Sequence, residues 1–289
     1  MQEVTKIISG RIEYTKEDLM EMDPVVLRAL LHERAHHNVE VPLYPTLLKW
    51  KGNPIADFGR QAQIVFDVWR ERGFDEDAPD IVWVKQNLAV ADKIRAGQKV
   101  EWTEPLPTPF TDEEMAVVNK LIYGRHSIRT WVDKLVPDRM IEKILEAGRA
   151  APIGCNLDEL RFIVIKSAKE AKMVWSDIST ENAVIIMICY DTRIPKVVGQ
   201  DRSVPQNAGF DAAAAADHML LMAHALGLGA VWLSRRAKTA AQEDTGQRFK
   251  EQYGLPNYIE VALHLAVGWP AIGTIKSQRV PLADMLYSH

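Results

Sequence analysis

The hydrophobic positions of the chain change their spacing at about residue 105. Before it, apolar residues recur every three or four positions, as in 58–69 and 81–91, and this spacing predicts amphipathic helices. After it, helical stretches alternate with short continuous apolar runs of strand length. The chain is therefore expected to have a helical first part and a second part that combines helices with a sheet.

The first part has clear helix starts. Thr15 and Asp18 have the spacing of a capping box, and Asp23-Pro24 places a proline in the first turn of a second helix. That helix is expected to end near Asn38, ahead of the proline that follows it. We find little strand signal here, and we expect four tryptophans to be buried, mainly against the second part: Trp50, Trp69, Trp83 and Trp102.

A proline-rich segment separates the two parts. Residues 101–110 contain three prolines in alternate positions, which neither a helix interior nor a central strand accepts. We therefore predict a helical N-terminal extension in residues 1–104, an extended linker in 105–110 and a second domain in 111–289.

The second domain is predicted to have an α+β fold. Thr111 and Glu114 form a capping box that opens a helix to about Gly124. Further helices are expected around 141–148, 205–226 and 238–253, and strands at 162–165, 184–189, 230–233 and 259–267. Strands interspersed with helices predict a sheet covered by helices.

Composition and charge exclude several classes of protein. The net charge is −4, so no global basic field favours nucleic acid, and two cysteines cannot form a disulfide framework or a four-cysteine metal site. The N-terminus lacks the apolar core of a signal peptide, and the most apolar stretch, 212–233, is too polar to cross a bilayer. These features predict a cytoplasmic protein.

Two polar motifs carry candidate chemistry. In the stretch Arg125-His126-Ser127-Ile128-Arg129, two guanidinium groups and a hydroxyl suit a phosphate, although a solvated basic turn is the alternative. In the loop 151–156, the Asn156 carboxamide suits the edge of a heterocycle, although a plain connecting loop is the alternative. A glycine-rich helix end at 226–234 and a second cationic cluster at 276–281 complete the set.

In order and spacing, these stretches resemble the nitroreductase family over about residues 112–289. The sequence RHSIR is similar to the family's R-R/H-S-x-R/K motif, and APIGCN is similar to the start of its A-P-S-x-x-N segment. The long alanine-rich helix with its following strand, and the stretch LHLAVGWP, also match the family. Each piece is weak alone, and the combination is specific.

The resemblance implies a mixed, antiparallel-rich sheet flanked by helices, and a homodimer with FMN bound at its interface. It implies that the FMN phosphate is held by Arg125, Ser127, Lys276 and Arg279, with His126 beside them. Arg129 would lie near the pyrimidine edge of the flavin, Pro152, Ile153 and Asn156 would come from the partner subunit, and the backbone at Leu233 and Ser234 would approach the redox centre. No catalytic acid or base is implied, because the flavin carries the chemistry.

The implied activity is transfer of hydride or electrons from NAD(P)H, or another reduced donor, through FMN to an electron-poor organic acceptor. The acceptor is a nitroaromatic, a quinone, an activated alkene or a halogenated aromatic. The chain departs from the family where 158–160 replaces Gln-Pro-Trp, and where the short segments 167–182 and 191–204 indicate a reduced lid. We therefore expect the N-terminal extension to cover the active site.

Several alternatives stay open. A flavin oxidase or dehydrogenase would run the reaction in the opposite direction, and a non-enzymatic FMN protein would use the extension to bind a partner. His32-Glu33-Arg34-Ala35-His36 matches the HExxH zinc pattern, but no third ligand motif follows it. Cys155 is a candidate nucleophile for which the sequence identifies no histidine partner, so packing is the better interpretation.

Overall fold

The computed structural model of the chain describes residues 7–9, 12–48, 55–100, 105–166, 180–234 and 250–287. Within these ranges the helices are α1 (Lys16–Glu21), α2 (Pro24–Ala35), α3 (Val41–Leu47), α4 (Arg60–Glu71), α5 (Pro79–Arg95), α6 (Asp112–Gly124), α7 (Asp138–Arg149), α8 (Arg193–Val197), α9 (Gln200–Ser203) and α10 (Asn207–Ala225). The strands are β1 (Ile7–Ser9), β2 (Ile12–Tyr14), β3 (Leu160–Ile165), β4 (Val184–Asp191), β5 (Gly229–Ser234) and β6 (Ile259–Gly268).

The extension begins with a small hairpin that the sequence does not predict. Strands β1 and β2 pair antiparallel, with Ile7 opposite Tyr14. Each strand has three residues, which is too short for the alternation that identifies strands in sequence. The predicted helix starts are confirmed: Thr15 and Asp18 form a capping box, and Asp23 caps α2 with Pro24 in its first turn.

The expected end of α2 near Asn38 is wrong. A π-helical turn, His36–Glu40, joins α2 to α3, and the helical backbone runs on to Leu47. The Val41 N–H donates to the His36 carbonyl, one residue further back than in an α-helix. This wider turn makes room for Pro42, which has no N–H and would clash with a carbonyl in a regular helix.

The helices of the extension share one core with part of the second domain. Leu27, Leu30 and Val65 are buried together with Leu157 and Ile194. The Tyr14 hydroxyl also donates to the Val197 carbonyl, at 2.7 Å. The extension is thus docked on the loop before β3 and on α8.

The tryptophans contribute less to this contact than expected. Trp69 is buried among the helices of the extension, and its Nε1 donates to the Asp75 carbonyl at 2.9 Å. Trp83 lies at the edge of the same cluster, while Trp50 and Trp102 lie outside the described residues. The contact with the second domain is made chiefly by aliphatic side chains.

The second domain is built on a four-stranded antiparallel sheet with the order β3-β4-β6-β5. Side chains of β4 alternate between its faces: Ile186 packs with α7 and α10, whereas Ile185 packs with Ile128 and Trp131. The four predicted strands are present with slightly wider bounds, and the predicted α+β class is confirmed. The helix expected at 238–253 lies largely outside the described residues.

Residues 105–110 are exposed and form neither helix nor strand. The domain boundaries drawn from the sequence stay predictions. Among the described helices, none combines the length and the apolar character needed to cross a bilayer.

Candidate functional site

The Arg125–Arg129 stretch runs along the edge of the sheet. It leaves α6 in extended conformation, and Ser127 forms a parallel bridge with Ala230 of β5. The Ile128 N–H donates to the Ala230 carbonyl at 3.0 Å, and the indole of buried Trp131 donates to the Gly229 carbonyl at 2.9 Å. These bonds fix the backbone that carries Arg125 and His126.

Gly229 permits this close pairing. A Cβ at this position would lie 2.7 Å from the Cβ of Ile128, so any side chain would push β5 away from the Ser127 segment. The position thus has a packing reason to be glycine.

Gly229→Ala is therefore expected to lower the free energy of unfolding by about 1–3 kcal/mol, the usual cost of overpacking. Urea unfolding followed by circular dichroism measures this change. Gly209→Ala is the matched control: Gly209 lies in α10 with no atom near its missing Cβ, so alanine should be neutral or stabilising. Equal stabilities of the two variants would refute the close approach.

A cavity of about 380 Å³ opens beside this segment. Its volume falls in the range of about 300–1,000 Å³ that is typical of small-molecule sites. Its wall combines one guanidinium and two imidazoles with apolar and glycine residues: Arg125, His126, Ile128, Leu220, His224, Gly227, Leu228, Gly229, Ala230, Pro270, Ala271, Ile272 and Gly273. A flat apolar ring with an anionic group fits such a lining.

His126 adds an unused polar atom to this cavity. Its Nδ1 contacts the Gly124 carbonyl at 3.3 Å, but its buried Nε2 has no partner. His224 packs against Gly124, where a Cβ would lie 2.8 Å from the His224 Nε2. A buried nitrogen without a partner is costly, so a ligand that bonds to it would relieve that cost.

The predicted phosphate-binding residues separate into two groups. Arg125 and His126 line the cavity, and Ser127 follows them directly, held at its carbonyl by Thr274 at 3.3 Å. Lys276 and Arg279 are exposed on the C-terminal segment that continues from the cavity wall at Gly273, and Arg129 is exposed beyond the wall. Leu233 is buried in β5, which ends at Ser234.

The loop 152–156 does not line this cavity within one chain. Pro152 is exposed, and Ile153 and Asn156 are partly buried beside residues that pack on the extension. The Gly154 N–H donates to Asp211 of α10 at 3.0 Å. One chain therefore places the predicted flavin contacts in two separate regions.

The departure at 158–160 introduces a buried carboxyl pair. Glu159, only 1% exposed, lies beside Asp211, and each has one buried carboxyl oxygen without a hydrogen-bond partner. Burial, followed by its interaction with Asp211, raises the pKa of Glu159 to about 8. Glu159 therefore keeps its proton at neutral pH.

This pair predicts a pH dependence of stability. A glutamate with a pKa near 4.3 in the unfolded chain and about 8 when folded releases its proton on unfolding. The free energy of unfolding of the wild type should therefore fall as the pH rises from about 5 to about 8. In Glu159→Gln, this part of the pH dependence should be absent. Urea unfolding at several pH values tests this, with exposed Glu142→Gln as the control. If Glu159→Gln showed the same dependence of unfolding free energy on pH as the wild type, the raised pKa of Glu159 would be contradicted.

Sequence reasoning missed part of the cavity wall. His224 lies on the last turn of α10, and 270–273 follows β6, both far along the chain from Arg125. The available signals are the glycine-rich helix end at 226–229, which indicates a close helix-to-strand approach, and the Gly268-Trp269-Pro270 turn, which carries part of the family resemblance. Neither signal by itself indicates a cavity wall.

The HExxH histidines are committed to other partners. His32 is buried, with Nε2 2.6 Å from Asp80, and His36 pairs with Glu40 at 2.7 Å. Across the described ranges, no three histidine, cysteine or acidic side chains are grouped as metal ligands would be. The zinc hydrolase alternative therefore has no support from the geometry.

Comparison with known proteins identifies the family to which the second domain is similar. The model of the nitroreductase family matches residues 122–187 and 181–269. A protein of Archaeoglobus fulgidus, provisionally named a NADH dehydrogenase/NAD(P)H nitroreductase, is 31% identical over 52% of this chain and 84% of its own length. An FMN reductase [NAD(P)H] of Bacillus subtilis is 26% identical over 58% of this chain and 71% of its own.

A solved structure agrees at the level of the fold. NfrA1 of B. megaterium superposes with a TM-score of 0.50 at 22% identity, over 60% of this chain and 74% of its own. The family match spans just over half of the chain and contains the Ile128 to β5 pairing that shapes the cavity. The chain belongs to the nitroreductase family and is an oxidoreductase.

Proposed function

We propose that this protein is a homodimeric oxidoreductase that uses FMN to pass hydride or electrons from NAD(P)H to an electron-poor organic acceptor. Bound FMN supplies the hydride chemistry, and the protein supplies position, charge and exclusion of water. Family membership and the name of the Bacillus subtilis relative support this cofactor.

One observation carries the proposal: the cavity beside β5 presents a guanidinium and an unpartnered buried imidazole nitrogen next to glycine and apolar walls. Arg125 offers the planar fork that binds phosphate with two charged hydrogen bonds. His126 Nε2 has a free position for a further hydrogen bond. The apolar part of the wall suits a stacked ring.

The remaining cationic groups complete the charge of the site. Lys276 and Arg279 lie on the segment that leaves the cavity wall, and their exposure leaves them able to reach a phosphate. Arg129 follows Ile128 on the same edge segment. A positive charge there would stabilise negative charge on the reduced ring, which favours hydride uptake from the donor.

A second copy of the chain is the proposed source of the missing contacts. Helix α6 has no buried residue in the single chain, and it exposes Val117, Ile122 and Tyr123. The C-terminal segment exposes Ile275, Leu282, Leu286 and Tyr287. Exposed apolar patches on a folded protein often mark interfaces with another chain. Loop 152–156 does not line the cavity of its own chain. In the proposed dimer, this loop of each subunit completes the cavity of the other subunit.

The dimer also gives the extension a place in the site. The extension packs on the loop before β3 of the same chain. No described residue before Arg125 lines the cavity of that chain. If that loop enters the partner's cavity, the extension lies over the partner's active site. In this arrangement the extension takes the place of the reduced lid. Of the two short segments that indicate a reduced lid, 191–204 contains α8 and α9, and 167–179 lies outside the described residues.

An anaerobic titration tests the function. The protein loaded with FMN should lose its visible flavin absorbance on addition of NADH or NADPH. It should regain it with one of four acceptor classes: a nitroaromatic, a quinone, an activated alkene or a halogenated aromatic. Bleaching by an organic substrate, with reoxidation by oxygen alone, would favour the oxidase alternative. A flavin that no donor reduces would favour a non-enzymatic role.

A further inference from the structure

The loop before β3 has an unusual backbone conformation. Cys155, Asn156 and Asp158 have φ values of 55°, 55° and 52°, and elsewhere in the described ranges only glycines have a positive φ. A left-handed conformation costs free energy in a residue that has a Cβ, and it persists only where neighbouring contacts hold it. The contacts made by this loop therefore decide its shape.

Helix α10 holds the first part of the loop. The Gly154 N–H donates to the Oδ1 atom of Asp211 at 3.0 Å, and Asp211 is buried. The backbone lies so close to the helix that a Cβ at Gly154 would be 2.9 Å from the Nδ2 atom of Asn207. Asp211 thus fixes the residue that directly precedes the two left-handed residues Cys155 and Asn156.

The extension holds the far end of the loop. His32 is buried, with its Nδ1 atom 3.4 Å from the Oδ2 atom of Asp158 and its Nε2 atom 2.6 Å from Asp80. Leu157, only 1% exposed, packs in the core that the extension shares with the second domain. Cys155 packs at the edge of the same core, which supports the packing interpretation of this cysteine. The loop is therefore fixed on both sides of Asn156.

Asn156 itself has a side chain that is available to a ligand. It is partly buried, and no described residue forms a hydrogen bond with its carboxamide. An amide group both donates and accepts, which suits the edge of a heterocycle. A loop that is fixed on both sides of one available polar group is suited to present that group to another molecule.

We propose that Asp211 is a positioning residue for the flavin site of the other subunit, because it holds the loop in the conformation that presents Asn156 there. The inference rests on the proposed function, in which loop 152–156 of each subunit enters the cavity of its partner. It adds that a carboxyl group outside the cavity of its own chain sets the FMN affinity of the partner's cavity.

An effect within the same subunit is the competing explanation. Helix α10 also lines the cavity of its own chain, at Leu220 and His224. A replacement of Asp211 that disturbed this wall would weaken the site of the same subunit. The proposed effect through the loop weakens the site of the other subunit, so the two explanations differ in which cavity loses affinity.

The first test compares two replacements of Asp211 in the full-length protein by fluorescence titration with FMN. Asp211→Ala should weaken FMN binding by about ten-fold, which corresponds to one hydrogen bond to a charged group. Asp211→Asn should stay within about two-fold of the wild type, because its amide oxygen accepts the same hydrogen bond from Gly154. Equal losses in the two variants would contradict the proposal.

A mixed dimer separates the loop from the helix. One subunit carries Arg125→Ala and the other Asp211→Ala, and a different affinity tag on each allows the mixed dimer to be purified. If the loop acts on the partner, one cavity has both defects and the other has none, so the dimer binds a single FMN with wild-type affinity. If Asp211 acts within its own subunit, each cavity has one defect and neither binds like the wild type, which would overturn the proposal.

If Asp211→Ala does not fold, Gly154→Pro takes its place in both tests. Proline removes the donor N–H from the loop and leaves α10 unchanged, and the preceding Ile153 is extended, as proline requires.

Failure of the inference and failure of the proposed function give different results. If Arg125→Ala weakens FMN binding but Asp211→Ala binds FMN like the wild type, only the inference is refuted. If the folded wild type binds no FMN, the proposed function and the inference are refuted together.

Discussion

Arg125→Ala is expected to weaken FMN binding by about 10–100-fold. Charged hydrogen bonds contribute about 1.5–3 kcal/mol each, and about 1.4 kcal/mol corresponds to a factor of ten in affinity. Arg125 is the one arginine among the residues that line the described cavity, so no neighbour in the wall replaces it. Fluorescence quenching of FMN on titration with apoprotein measures the affinity.

Two further variants separate charge from geometry. Arg125→Lys keeps the charge but loses the planar fork, so its affinity should lie between those of the wild type and the alanine variant. Arg139→Ala removes an exposed arginine from α7, away from the cavity wall, and should bind FMN like the wild type. Equal losses in Arg125→Ala and Arg139→Ala would mean that the cavity beside β5 does not hold the phosphate.

Glu33→Ala should be among the most destabilising substitutions in the chain, at about 3–5 kcal/mol. Glu33 and Arg34 are both buried, and removal of one partner leaves the other charge unpaired in the core. The substitution also removes the acceptor of the Ser9 hydroxyl, which ties the hairpin to α2. Urea unfolding followed by circular dichroism measures the loss.

The ion pair of Arg149 with Glu146 on α7 is the comparison, because both side chains are exposed. Glu146→Ala should change stability little, since water screens such pairs. Replacing both charges at once, as Glu33→Met with Arg34→Leu, should recover most of the lost stability. If Glu33→Ala were as stable as Glu146→Ala, the buried pair of Glu33 and Arg34 would not contribute to stability as predicted.

The second domain was predictable because its signals are local. The capping box at Thr111 starts α6 where expected, and the apolar runs at 162–165 and 184–189 lie in β3 and β4. Each signal needs only a few adjacent residues. The continuation of α2 through Pro42 was not predictable, because the π-helical turn that accommodates the proline depends on packing against α4 and α5.

The site was predictable only in part, for a related reason. Arg125 and His126 belong to a motif of adjacent residues, whereas His224 reaches the cavity only because α10 packs beside α6. Contacts of this kind depend on the tertiary fold and not on spacing in the sequence.

Native mass spectrometry of the protein incubated with FMN tests the central claim most directly, that two copies of the chain together hold the cofactor. We expect a dimer that carries one FMN per chain, and an Arg125→Ala dimer that has lost most of it. A monomer that binds no FMN, at a concentration where the folded state is intact, would contradict the account.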